Sequence, residues 1–335
     1  MKHRIIIQPK GLVFEADENE TILDAAANAG IKMLKSCDNG ICEVCKATLV
    51  AGVINTPQGI LNAQDDDVNP MLPCVSKANS ELILDQKKVL APGEIPIQHI
   101  AFQIKSIQQQ SGDVSIVELL APAGKIPEFH AGQYLELLID GNEYPFTIAS
   151  APGNREIQLH IGTDTEHSTN QTILKTLQSQ LTVRTRLAKG EVWLKPQEAD
   201  NNLHDPLVFI VAGTGFSQAK AMIEEQLKHQ HSAIYLYWIN RSGDGFYSDL
   251  AEEWSKENKI HYLAMTPEAP DCQFYTDKMV EDLIAEQFNN LAALKIAICG
   301  GPGFVYSVLS GLERKGIKQS QTMSDVYAYM PRPKK

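Results

Sequence analysis

Four cysteines carry the clearest chemistry in this sequence. Cys37, Cys42 and Cys45 are spaced C-x4-C-x2-C within SCDNGICEVCK, and Cys74 follows after 28 further residues. Four thiolates at this spacing suit a 2Fe-2S cluster. Three sulfurs from one short segment must converge on two irons, so the loop has to turn tightly and aim its amides inward. Gly40 supplies a position without a side chain, and inward amides can hydrogen-bond the cluster. A structural zinc site usually pairs two short C-x2-4-C knuckles; here there is one knuckle, an x4 arm and a distant fourth cysteine. Four unrelated thiols are the remaining alternative.

Two glycine loops come next. Gly213-Thr214-Gly215-Phe216-Ser217 follows the apolar run LVFIVA and leads into a helical pattern. Glycines there let a pyrophosphate reach the backbone and the amides of a helix N-terminus. Many glycine turns join strands to helices, so the loop gains weight from Cys299-Gly300-Gly301-Pro302, which ends a later apolar strand. Cys299 also reads as a buried core thiol. Arg241, in Asn240-Arg241-Ser242, falls near the end of the second strand of this region, where a cation would meet a 2′-phosphate. Stacking on adenine or facing solvent are its other readings, and the neighbouring Asp244 and the acidic balance tilt the choice toward NADH.

These motifs resemble known ones. CDNGICEVCKATLVAGVI resembles the signature of plant-type ferredoxins, departing from it at Glu43, where that family usually carries a small residue. The pair of GTGFS and CGGP resembles the nucleotide module of the ferredoxin–NADP reductase superfamily. That resemblance implies a first loop facing NAD(P)H phosphates and Cys299 beside the nicotinamide. Tyr144-Pro145-Phe146-Thr147 resembles the superfamily's flavin motif R-x-Y-S/T, and AGQY, Ala131 to Tyr134, matches its barrel. By the same resemblance Phe146 packs on the flavin ring, the Thr147 hydroxyl lies near N5, and Tyr134, Tyr144, Pro145 and His160 (in LHIG) are cofactor contacts. Two features depart from the pattern. Tyr144 replaces the Arg that neutralises a flavin phosphate, and no Gly-x-x-Ser/Thr loop occurs in TDTEHSTNQT, where Ser168 and Thr169 are the nearest candidates. LHIG, KGEVWL and VAGTGFSQAKAMI are similar to flavin reductases that bind flavin without gripping its adenylate half. The order of modules resembles oxygenase reductase components and the glucoseen reductases.

The elements that must position these residues follow from periodicity. Residues 1–15 alternate around Pro9-Lys10-Gly11 as a hairpin. Thr21 caps a helix with Asp24 three residues on, and Gly30 ends it. With the cluster loop, strand KATLV and ELILD, this makes a β-grasp domain, 1–91. The acidic run Asp65-Asp66-Asp67 reads as a solvated loop or, less often, as a docking patch. KKVLAPGEIP, residues 87–96, reads as a linker. Six short strands and one helix near 165–178 suggest a closed antiparallel β-barrel, 97–200, for the flavin. From 201 to 335 strands and helices alternate, predicting a doubly wound parallel sheet for NAD(P), with ligands at the strands' carboxyl ends. Cys272, in PEAPDCQFY, reads as a loop thiol. The fold class is multidomain, α+β and α/β.

The chain has 335 residues and a net charge of −11, which argues against nucleic acid or an anionic membrane as its main partner. No apolar run is long enough to span a bilayer, and MKHRIIIQPK lacks a signal peptide's core. With four of six cysteines in the cluster set, thiol usage fits a reducing compartment, so a cytoplasmic protein is expected. Hydride delivers two electrons and a 2Fe-2S cluster takes one, so a flavin (FAD or FMN, weakly held) is the expected adaptor between NADH or NADPH and the cluster. The resulting expectation is a reductase serving an acceptor protein. Its rivals are a reductase of free flavin with an accessory ferredoxin module, and a non-enzymatic redox sensor.

Overall fold

The computed structural model describes residues 2–65, 68–110, 113–163, 168–194, 205–229, 233–240, 245–266 and 272–332. Asp66, Asp67, Thr165, Arg241, Ser242 and Asp244 lie outside these, as does the expected boundary at 200/201. The chain divides into two units, Met1–Pro96 and Ile97–Lys335.

The first unit opens with β1 (Lys2–Gln8) and β2 (Leu12–Asp17), an antiparallel hairpin. Their alternation sends Ile5, Ile7, Phe14 and Ala16 into the core, as a period of two requires. Helix α1 (Ile22–Asn28) starts where the Thr21 hydroxyl accepts from the Asp24 amide, and it buries Ile22, Leu23, Ala25 and Ala26. Then come β3 (Lys32–Met33), the cysteine loop, β4 (Ala47–Ala51), β5 (Val53–Thr56), β6 (Gly59–Asn62), β7 (Pro70–Met71), β8 (Lys77–Ala78), β9 (Leu82–Asp85) and β10 (Val89–Leu90). The main sheet has the order β2-β1-β9-β4-β7, with β1 and β9 parallel. One expectation is corrected here: β10 pairs with β3, and Lys10 forms an ion pair with Glu94. Much of the 87–96 segment thus belongs to the unit and is not a free linker.

The second unit begins with six antiparallel strands: β11 (Gln98–Gln109), β12 (Val114–Leu120), β13 (Tyr134–Ile139), β14 (Asn142–Thr147), β15 (Glu156–Gly162) and β16 (Thr182–Lys189). Their order is β14-β13-β16-β11-β12-β15. The expected closed barrel is instead a curled sheet. Among the described residues no ladder joins its edges, and the gap is bridged just past β14, where the Ala149 amide donates to the Gln158 carbonyl at 2.7 Å. Helix α2 (Ser168–Gln178) adds Ile173, Leu174 and Leu177 to the core.

The last region alternates β17 (Leu207–Ala212), α3 (Phe216–His229), β18 (Ile234–Ile239), α4 (Leu250–Lys256), β19 (His261–Met265), α5 (Cys272–Gln287), β20 (Lys295–Cys299), α6 (Pro302–Arg314), β21 (Thr322–Met323) and α7 (Val326–Tyr329). The strands are all parallel, in the order β19-β18-β17-β20-β21. On β17, Leu207, Phe209 and Val211 pack with α3 and α4, while Val208 and Ile210 pack with α5 and α6. A strand covered on both faces has to be apolar throughout, hence the unbroken LVFIV. Cys272 starts α5 and is not in a loop: the helical register of DKMVEDLIAEQ extends back through QFYT. Among the described residues no helix is long and apolar enough to cross a membrane.

Candidate functional site

The cysteine loop is built from residues in unusual backbone conformations. Asp38, Gly40 and Glu43 all have positive φ, at 54°, 82° and 55°, which is uncommon for the two acids. At Gly40 a Cβ would also press on Val75 at 3.2 Å. This winding aims amides at sulfur. The Cys42 amide donates to Cys37 Sγ at 3.3 Å. The amide of Asn39, then that of Cys42, lowers the Cys37 thiol to about 6, favouring the thiolate a metal needs. Cys45 and Cys74 lie deeper, buried, with their sulfurs 3.3 Å apart. Burial and the Cys45 neighbour raise Cys74 to about 11. The thiols therefore pair two and two, an inner 45/74 pair and an outer 37/42 pair. Two pairs suit two irons, so the donor set fits a 2Fe-2S cluster.

The glycine loops meet at the carboxyl ends of β17 and β20, the neighbouring central strands of the parallel sheet. A Cβ on Gly215 would stand 2.1 Å from the Cys299 carbonyl oxygen and 3.0 Å from the Gly300 nitrogen. The loops thus touch backbone to backbone. Gly213, at φ 53°, and Gly301 have nothing within 4 Å of where a Cβ would be. That leaves open ground above both loops, and the groove fits a pyrophosphate. Thr214 lends its carbonyl to the Ser217 hydroxyl at 2.8 Å, which closes the first turn of α3. Gly301 caps α6 and Pro302 occupies its first turn. Cys299 is buried, and burial first, then Asp325, pushes its thiol well above the ordinary range. It is a neutral thiol, not a nucleophile.

On β14, register separates the flavin-motif residues onto two faces. Tyr144 and Phe146 pair with the core residues Leu137 and Leu135 and pack, half-buried, against the barrel core. Pro145 and Thr147 take the other face, opposite Glu136 and Tyr134. There Lys189 lies beside Tyr134 on β16. Buried Glu136 pairs with both Arg186 and Lys189, and Arg186 also pairs with Glu143. Burial opposes ionisation of Glu136, yet the bonds from Arg186 and Lys189 hold it below the usual carboxylate range. Gly190, at φ 94°, leaves room for the Tyr134 ring, which a Cβ would meet at 2.9 Å. Half-buried aromatic, phenol and hydroxyl groups on one strand fit a flat, amphipathic ring such as flavin. His160 is buried instead against Tyr247, with Nδ1 2.9 Å from its hydroxyl and Nε2 unpartnered among the described residues. Burial, then Lys220, lowers it to about 3, so it is neutral.

Three residues escape sequence reasoning. Gln218 Nε2 donates to the Gly132 carbonyl at 2.8 Å and to Asp325 Oδ2 at 2.6 Å, and Lys220 Nζ donates to the Ala149 carbonyl at 2.8 Å. Asp325, which burial raises to about 6, carries no motif. The other two had a usable signal: Ser217, Gln218 and Lys220 are polar residues crowded into one buried turn of α3.

Comparison with known proteins agrees with this geometry. The family model of the 2Fe-2S iron-sulfur cluster binding domain matches residues 5–79, and that of the oxidoreductase NAD-binding domain matches 209–309. The chain is 29% identical over 332 residues to CDP-6-deoxy-L-threo-D-glycero-4-hexulose-3-dehydrase reductase of Yersinia pseudotuberculosis, covering 98% of this chain and 99% of that one. It is 28% identical over 338 residues to terephthalate 1,2-dioxygenase reductase component 2 of Comamonas, covering 99% of each. The solved ferredoxin reductase in carbazole 1,9a-dioxygenase shares the fold at TM-score 0.58 and 18% identity, over 97% of this chain and 98% of that one. The paired thiols, the touching glycine loops and this full-length likeness have one reading: the chain is an NAD(P)H-dependent iron–sulfur flavoprotein oxidoreductase, with a 2Fe-2S iron-sulfur cluster binding domain ahead of an oxidoreductase NAD-binding domain.

Proposed function

We propose that this oxidoreductase takes hydride from NADH and delivers electrons one at a time to a separate oxygenase or dehydratase component. The observation that carries the reading is the meeting of Gly215 with Cys299 and Gly300 at the strand ends, in a chain that also holds a paired four-thiol loop. In this reading Gly213, Thr214, Gly215, Ser217, Gly300, Gly301 and Pro302 cradle the dinucleotide, and Arg241 meets its adenosine half. Cys299 lies against the nicotinamide as a neutral, polarisable wall. Tyr134, Tyr144, Pro145 and Phe146 border the flavin, Thr147 offers a hydroxyl at its reacting edge, and His160 stands behind them, buried against Tyr247. Bound there, a flavin supplies the two-to-one electron conversion between hydride and cluster. The protein's part is alignment, since hydride transfer needs no general acid or base. Cys37, Cys42, Cys45 and Cys74 ligate the cluster.

Anaerobic titration with NADH, followed by visible absorbance, tests the chain of carriers. Flavin and cluster bands should both bleach, and kcat/KM should favour NADH over NADPH. A cluster that stays oxidised while flavin is reduced would defeat the proposal in favour of a free-flavin reductase.

A further inference from the structure

Helix α3 grows out of the nucleotide loop and carries Lys220, Glu224 and Lys228 in one i, i+4, i+8 row. All three reach the segment that leaves the flavin strand. Lys220 Nζ donates to the Ala149 carbonyl at 2.8 Å and pairs with Glu224 Oε1 at 2.7 Å. Glu224 Oε2 accepts from the Ala151 amide at 3.2 Å, and Lys228 Nζ donates to the Pro152 carbonyl at 2.9 Å. Lys220 is only 8% exposed. A buried ammonium is retained against a large desolvation penalty, so its bonds must be specific. From the other side, the amides of Ile148 and Ala149 donate to the Gln133 and Gln158 carbonyls at 3.1 and 2.7 Å. Backbone 148–151 is therefore clamped between the barrel and α3.

We infer that Lys220 and Glu224 are positioning residues for hydride transfer, bracing the strand exit behind Thr147 against the helix that begins at Gly213–Gly215. This rests on the reading of Thr147 as flavin-facing. One end of the brace bears on the dinucleotide loop and the other on the backbone two residues beyond the Thr147 hydroxyl. The distance between the two reactants is thereby set through a short, fully bonded path. Removing Lys220 alone strands a carbonyl and a carboxylate; removing both charges leaves a neutral but slack seam.

The full-length holoenzyme should be compared with Lys220→Arg, Lys220→Met/Glu224→Gln and Thr147→Ala. The readouts are thermal midpoint, riboflavin affinity by fluorescence quenching without NADH, and single-turnover hydride transfer. In the double variant the limiting rate should fall about a hundredfold and riboflavin affinity about tenfold, with the NADH dependence moved less than about twofold. Lys220→Arg, which keeps charge and donor, should restore most of the rate. A double variant with wild-type rate and riboflavin affinity overturns the inference, as does a rate that falls only in step with lost folded protein. If Thr147→Ala also leaves riboflavin affinity and rate unchanged, the flavin reading itself is wrong and the inference goes with it.

Discussion

Asp325 is held in a place that opposes its charge. Burial raises it from 3.8 to about 6, against the bond from Gln218. Between those values the folded chain binds a proton that the unfolded chain has released, so stability falls as pH rises through the window and stays lower above it. A shift of roughly two units corresponds to about 3 kcal/mol at most. Asp325→Asn keeps an acceptor for Gln218, and it should raise the thermal midpoint at pH 7.5 while leaving it nearly unchanged at pH 4. A midpoint equal at both pH values would show that the carboxylate is not so strained. His160 titrates in the opposite sense: lowered to about 3, it stabilises the fold above its unfolded value near 6.5, and that support is lost as pH falls below it. Each of Cys37, Cys42, Cys45 and Cys74 changed to Ser should lose most cluster absorbance, and four normal spectra would refute the ligand set. Cys299→Ala should slow hydride transfer in stopped flow and leave the cluster spectrum intact. The ligands were legible because four thiols at fixed spacing have little other use. Asp325 was not, because its bonding partner Gln218 and its neighbour Cys299 come from distant parts of the chain.

Strand periodicity was legible at the scale of elements: all six barrel strands and four of the five parallel ones follow from their patterns or their apolar runs, whereas β21, only Thr322–Met323, carries neither. That the sheet stays open was not legible, since its edges meet past β14 through the Ala149 amide on the Gln158 carbonyl and the Gln158 amide on the Ser150 hydroxyl, bonds that leave no periodic trace. The glycine loops were legible as phosphate cradles, yet the contact that fixes Gly215 is with the other loop. Gly215→Ala would force a methyl into the Cys299 carbonyl, where backbone cannot yield, and should cost about 1–3 kcal/mol and weaken NADH binding. Gly301→Ala meets open space and should leave the fold unaltered, so equal thermal midpoints for the two variants would contradict this account. The flavin strand raises a second expectation. Tyr144 stands where a phosphate-binding Arg would be, and the nearby Arg186 and Lys189 are already engaged by Glu136 and Glu143. A charge-assisted bond to phosphate is worth about 1.5–3 kcal/mol. Without one, FAD, FMN and riboflavin should bind weakly and with similar affinity in calorimetric titration. Tyr144→Arg should tighten the first two alone.

For the whole molecule, the division at Pro96 and Ile97 has a physical basis in the cores. One apolar cluster runs from Ile5 to Val89, and the other three lie wholly beyond residue 99. The sequence suggested a linker from Lys87 onward because prolines and a glycine mark loops. It could not show that Val89–Leu90 finds a partner at Lys32–Met33, or that Glu94 finds Lys10, as both pairings close over half the unit. Cutting at residue 96 and not at 87 should therefore give two stable pieces. Residues 97–335 should reduce free flavin with NADH and show no cluster absorbance. Residues 1–96 should hold a cluster that NADH alone cannot bleach. Mixed together, the pieces should restore bleaching at a rate that rises with concentration, because the tether no longer supplies a local concentration in the millimolar range. At about 10 µM of each, transfer should be about a hundredfold slower than in the intact chain. Bleaching at the intact rate, independent of concentration, would mean that the pieces associate tightly. A 97–335 fragment unable to oxidise NADH would mean that the first unit completes the nucleotide or flavin site, contrary to the separate cores.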